Sequence, residues 1–305
     1  MNSKSVAAAS APRPEAIPLI AGLGALAGRY DAILCDIWGV LHDGHKAFAP
    51  ASEALANFRR AGGTVILLTN APRPNPPIRE QALGLGVAPE AFDEIITSGD
   101  VTIDLIRQRK GAPVHHIGPE RDLTLLAAAA LRSGQPTRLV APEDAAYVLC
   151  TGLFDDTVET PENYAHVLAD FARRGLTMIC ANPDLVVQRG DKLIYCAGAI
   201  AQAYEALGGE ALYAGKPHRS IYETALARID ALRGRPVALQ RVLAIGDALR
   251  TDLAGAAAMG LDALFVADGI HREELYAPDA VPDALERLFA PPAPRPIAAI
   301  RALAP

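Results

Sequence analysis

Apolar residues along the chain fall in short continuous runs that stop abruptly at polar or glycine-containing turns. Ala32–Cys35 leads into Asp36, Thr64–Leu68 into Thr69 and Asn70, and Val242–Ile245 into Gly246 and Asp247. Such runs, bounded by turns and lacking polar alternation, predict strands buried on both faces. Between them the apolar period lengthens. Ala51–Arg60 places Leu55 and Phe58 on one side, and Ser220–Leu232 does the same with Ile221, Ala225, Leu226 and Ile229, as amphipathic helices do. A further helix stops near Gly260, and the strand Ala263–Ala267 follows it and ends at Asp268. Strands alternating with helices predict βαβ units, hence an α/β protein with a doubly wound parallel sheet. In such sheets ligands sit beyond the carboxyl ends of the strands, where these runs place their polar residues.

Between Thr69 and Lys216 the chain spends 147 residues (216 minus 69), far more than one crossover helix and strand require. That interval has its own alternation, with strands at Val114–Ile117, Tyr147–Thr151 and Met178–Ala181 and helices at Asp122–Ser133 and Glu162–Arg174. The expectation is a core domain split between residues 16–100 and 211–290, with a second α/β domain, the cap, inserted at 101–210. Residues 1–15 read as a frayed tail. Residues 291–305 read as a C-terminal tail, in which the Pro-rich PPAPRP leads to an apolar segment that packs back on the body.

Half of the 305 residues are hydrophobic and 21% are charged, enough to bury a sizeable core and to exclude a disordered chain. A formal charge of −6 provides no basic field for a nucleic acid backbone. No apolar stretch reaches the roughly 18 to 20 residues that span a bilayer. Cys35, Cys150, Cys180 and Cys196 lie far apart without zinc-like spacing; buried reduced thiols are expected, and with them a cytoplasmic location.

Candidate chemistry gathers at the strand ends. Asp36, followed by Gly39, stands where backbone can approach a phosphate, although a capping aspartate reads the same way. Thr69-Asn70 equally makes an ordinary turn. Lys216 precedes Pro217 and a helix, a place for a cation facing an anion or for a solvated lysine. In AIGDALRTD, Asp247 follows a strand and Asp252 comes five residues later; two acids at one sheet edge suit a hard cation such as Mg²⁺, and also serve as helix caps. GLGALA at 22–27 fits a dinucleotide fingerprint, but too few residues separate it from the strand at Ala32 for the required helix.

Taken in order, DIWGV, LLTN, GKP and GDALRTD resemble the four motifs of the haloacid dehalogenase (HAD) superfamily of aspartate-nucleophile phosphohydrolases. LLTNAPRP, EIITSGD, CANPD, AGKPHRSIY and DGIHREEL narrow the likeness to the type IIA, NagD-like phosphatases of sugars and other small molecules. The resemblance covers residues 28 to 276. It implies a Rossmann-like core with an inserted cap, a Mg²⁺ cofactor and a small phosphorylated metabolite as substrate. It also implies Asp36 as nucleophile, and Thr69 and Lys216 as catalytic and phosphate-binding residues, with the backbone of Trp38, Gly39 and Asn70 completing the phosphate cradle. Asp36, Asp247 and the Trp38 carbonyl would bind the metal, with Asp252 reaching it through water or orienting Lys216. Asn182, Asp184 and His218 would face substrate, and pairing through the cap would give a homodimer.

One departure stands out. The family's phosphatases carry a second aspartate two residues after the nucleophile, the general acid for the leaving oxygen, and here Trp38 takes its place. Indole does not ionise near neutral pH. Three accounts follow: a substrate with a good leaving group, a proton from Asp43, His42 or the cap, or a protein that binds a phosphorylated ligand without turnover. Haloacid dehalogenases also lack this acid, which gives a fourth, dehalogenase reading.

Overall fold

The computed structural model describes residues 16–189, 192–276 and 283–305; the tail expected at 1–15 lies outside them. Seven strands form the main sheet: β1 (Leu19–Ile20), β2 (Ala32–Cys35), β3 (Thr64–Thr69), β4 (Glu94–Thr97), β11 (Val242–Gly246), β12 (Asp262–Val266) and β13 (Ala298–Ile300). A smaller sheet contains β5 (Val114–Ile117), β6 (Tyr147–Cys150), β7 (Thr177–Cys180) and β10 (Glu210–Tyr213), and β8 (Val186–Arg189) pairs with β9 (Lys192–Tyr195) as an antiparallel hairpin. The main sheet runs β1-β13-β12-β11-β2-β3-β4 and the smaller one β10-β7-β6-β5, every pair parallel.

The apolar runs are continuous because each face of the main sheet packs its own core. In β2, Ile33 and Cys35 enter one cluster and Ala32 and Leu34 the other; Val65 and Leu67 are divided from Ile66 and Leu68 in β3 by the same alternation. Helices Ala49–Arg60 and Arg219–Arg233 cover the opposite faces through Leu55 and Phe58 on one side and Ile221, Ala225 and Ile229 on the other. The smaller sheet repeats this scheme with two further clusters. All four cysteines are buried. Among the described residues no helix is long and apolar enough to cross a membrane.

Three expectations need correction. Residues 291–305 are more than a tail, because Ala298–Ile300 inserts between β1 and β12 and buries Ile300 in the main core. The smaller sheet passes residue 210, because β10 continues to Tyr213 alongside β7. At the other boundary, residue 101 falls inside the helix Ser98–Gln108, which puts Val101 into a main-sheet cluster and Ile103 and Ile106 into a cluster of the smaller sheet. A boundary drawn from spacing alone cannot see that one helix serves two cores.

Candidate active site

Four main-sheet or loop positions converge at the carboxyl edge. Asp36 follows β2, Thr69 ends β3, Lys216 follows β10 and Asp247 follows β11. Lys216 Nζ donates to Asp36 Oδ1 and to Asp252 Oδ1, both at 2.6 Å, and all three residues are buried. Oxygens of Asp36, Asp247 and Asp252 lie within 4.8 Å of one another. Glycines permit this crowding. A Cβ at Gly39, which has φ +81°, would lie 2.2 Å from Asp247 Oδ2, one at Gly269 2.0 Å from the same atom, and one at Gly246 2.2 Å from Asp252 Cγ. Ile270 N and Ala248 N donate to Asp247 Oδ2 and Asp252 Oδ2.

The electrostatics are those of buried acids short of positive charge. Burial pushes Asp36 up to about 7 against the opposing pull of Lys216, and the Asp252 charge adds to the rise. Asp247 rises well above the carboxylate range through burial and the Asp36 and Asp252 charges. Burial alone would depress Lys216, but the two carboxylates outweigh it and raise it well above its ordinary value. One lysine therefore faces three acids in a small volume, and a hard divalent cation is the group such an oxygen set fits.

A second set of bonds holds the lysine in place. Asn70 Oδ1 accepts from Lys216 N at 2.7 Å, while Asn70 Nδ2 donates to Lys216 O at 3.0 Å and to Asp184 Oδ1 at 2.9 Å. The Asn70 side chain is thus committed to the lysine loop. Gly39 N donates to the His42 carbonyl at 2.9 Å, and Gly39 lines the cleft that holds Asp36. His218 stacks on Tyr213 with ring centroids 4.6 Å apart. Asp184 lines both cavities at this edge, and Asn182 lines the smaller one and accepts from Asp184 N through its side-chain oxygen.

Asp43 and His42, the two candidates named from the sequence for the missing proton, both line a cavity at this edge. Asp43 Oδ1 accepts from His45 N and Lys46 N, and these amides hold it below the carboxylate range. His42 is buried, accepts from Gly44 N at Nδ1 and meets the Trp38 ring edge-on at 5.4 Å. The His115-His116 pair is structural, with His116 Nε2 bonded to Thr151 Oγ1 at 2.9 Å.

Comparison with known proteins agrees with this geometry. A haloacid dehalogenase-like hydrolase model matches residues 33–132, and a related HAD-hydrolase-like model matches 213–288. A crystal structure of a haloacid dehalogenase-like family hydrolase from Brucella suis 1330 is 47% identical, covers 93% of this chain and 100% of its own, and superposes with a TM-score of 0.82. The chain belongs to the haloacid dehalogenase-like hydrolase family. Within this HAD family it is also similar to the ribonucleotide monophosphatase NagD of Escherichia coli, at 26% identity over 78% of this chain and 88% of NagD. The glycerol phosphate phosphatase of Mycobacterium tuberculosis, solved in complex with magnesium, is 26% identical over 90% of this chain and 76% of its own, with a TM-score of 0.65. The aspartate at the end of β2 and the acid pair after β11 are thus placed on an HAD hydrolase core.

Proposed function

We propose that the protein is a Mg²⁺-dependent phosphohydrolase of small organic phosphate monoesters that works through an aspartyl-phosphate on Asp36. The observation that supports it best is the Asp36–Lys216–Asp252 contact set beside Asp247. Asp36 attacks phosphorus, the bond to the leaving oxygen breaks with its electron pair, and water then cleaves the acyl phosphate to restore Asp36. Lys216 neutralises charge on the nucleophile and the phosphoryl group, and Thr69 donates to a phosphoryl oxygen. Asp36, Asp247 and Asp252 would hold the Mg²⁺, which when bound supplies the remaining positive charge. The smaller sheet with its hairpin serves as the cap over this edge. Halide displacement has less support, since a cluster built for a hard cation has no part in releasing halide from carbon.

Phosphate release from a metabolite panel with Mg²⁺ tests the reading. The metal is checked separately by thermal melting. Saturating Mg²⁺ is expected to stabilise the fold, by about 2.7 kcal/mol at a hundredfold excess over Kd. Asp247→Asn should abolish that response while leaving the metal-free protein at least as stable, because burial already disfavours the Asp247 charge. An unchanged Mg²⁺ response in the variant would remove Asp247 from the metal site.

Trp38 supports one rival reading, a protein that binds a phosphorylated ligand without turnover. It predicts ligand-dependent stabilisation and no phosphate release. Under the phosphohydrolase reading, Trp38→Asp supplies a general acid, a contribution of about 10² to 10⁴ in rate for poor leaving groups. Turnover of an alkyl phosphate is therefore expected to rise more than that of p-nitrophenyl phosphate. Equal loss on both substrates would show that the indole has a different role.

A further inference from the structure

Two adjoining cavities meet at Trp38, a cleft of about 950 Å³ that takes in Asp36 and Lys216 and a smaller chamber of about 200 Å³. Trp38, Thr69 and Asp184 line both. The smaller chamber is walled by the main-sheet loop carrying Arg73 and by Asp122 and Thr151 of the smaller-sheet domain. It is about a fifth the size of the cleft that holds Asp36, a size that suits a short leaving group better than a nucleoside.

Arg73 is the unusual wall residue. Its Nη2 donates to Gln81 Oε1 at 2.5 Å, and among the described residues no carboxylate lies within ion-pair distance of it. Partial burial holds its pKa below the usual value, with Asp122 near enough to oppose that shift but not to pair. The neighbouring Arg121 is already matched by Asp156 at 3.6 Å. The Arg73 backbone is fixed, since a Cβ at Gly99 would lie 2.3 Å from its carbonyl oxygen. A half-buried guanidinium with unused donors suits the two parallel oxygens of a carboxylate. Across the chamber, Asp122 is 2% exposed and pushed up to about 6 by burial, the Thr151 side chain supports it, and His116 backs Thr151. That wall suits a hydroxyl.

Resting on the phosphohydrolase reading, we propose that this chamber receives the leaving group and that Arg73 selects short hydroxylated phosphate monoesters bearing a carboxylate. In-line displacement supports the placement, because the leaving oxygen departs on the side away from Asp36, and the chamber is lined by Thr69 and smaller-sheet residues but not by Asp36.

The test compares D-3-phosphoglycerate with glycerol 3-phosphate, alike in length and differing at the carboxylate, and with adenosine 5′-monophosphate. With Mg²⁺, kcat/KM for phosphoglycerate is expected to exceed that for glycerol phosphate by about tenfold or more and that for the nucleotide by more. Arg73→Gln should collapse the first ratio toward one, chiefly through KM for phosphoglycerate. Equal activity on both three-carbon esters, a preference for the nucleotide, or a ratio unchanged in Arg73→Gln would overturn the proposal. If wild type releases no phosphate from any ester, the phosphohydrolase reading fails by itself. Calorimetric binding of phosphoglycerate then decides the inference: binding lost in Arg73→Gln supports it, and absent or unaltered binding rejects it.

Discussion

An Asp36→Asn variant is expected to release phosphate about a thousandfold more slowly than wild type, or slower still. The substitution keeps size and the capacity to accept from Lys216 but removes the nucleophilic oxygen, and an amide does not form the acyl phosphate. Folding should survive. Burial already disfavours the Asp36 charge, pushing its pKa to about 7, and Lys216 retains Asp252 as an ion-pair partner. Loss of activity is thus separable from loss of structure by melting the two proteins side by side. Activity within tenfold of wild type would falsify the role of Asp36 as nucleophile.

The position of Asp36 was legible because the parallel sheet leaves a one-dimensional trace, while the role of nucleophile came only from the family resemblance. β2, β3, β11 and β12 are buried on both faces, so each is a short apolar run, and each run stops where a polar residue meets the site. Asp36, Thr69 and Asp247 could be placed from those stops, and the family motifs supplied Lys216 and Asp252. The smaller-sheet strands Val114–Ile117 and Tyr147–Cys150 were legible for the same reason. What escaped depends on contacts distant in the chain. β13 has three residues after a Pro-rich stretch and earns its place only by fitting between β1 and β12. The β8–β9 hairpin carries exposed Leu193 and Tyr195, so its pattern resembles no buried strand. Asn70 signalled a turn or a phosphate ligand, while its clasp on Lys216 spans 146 residues. Arg73 and Asp122 look like ordinary surface charges until the two domains close around them. A sign for the tight packing was present in the glycines at 39, 246 and 269, although nothing in the sequence says which carboxylate each one admits.

Lys216→Met should act on stability as strongly as on catalysis. Lys216 is 4% exposed and holds two carboxylates at 2.6 Å, so methionine fills much of the space but leaves both acids uncompensated. Removing one member of a buried ion pair destabilises a protein by about 3 to 5 kcal/mol. The pH dependence gives this a sign. Even with the lysine present, Asp36 in the folded protein titrates near 7, above the carboxylate range of the unfolded chain. Its contribution is therefore fully favourable only at low pH and is lost as pH rises through the folded value. Without the lysine the folded value climbs further, so the gap between wild type and Lys216→Met should widen from pH 5 to pH 8. Mg²⁺ should narrow it by replacing part of the missing charge, without restoring turnover, because the Nζ contact to the nucleophile is gone. Urea unfolding at both pH values, with EDTA or with Mg²⁺, measures each of these. A gap below about 1 kcal/mol at pH 8 in EDTA would mean that the acids are neutralised by protonation rather than by Lys216. In that case the residue would be needed for charge on the phosphoryl group alone.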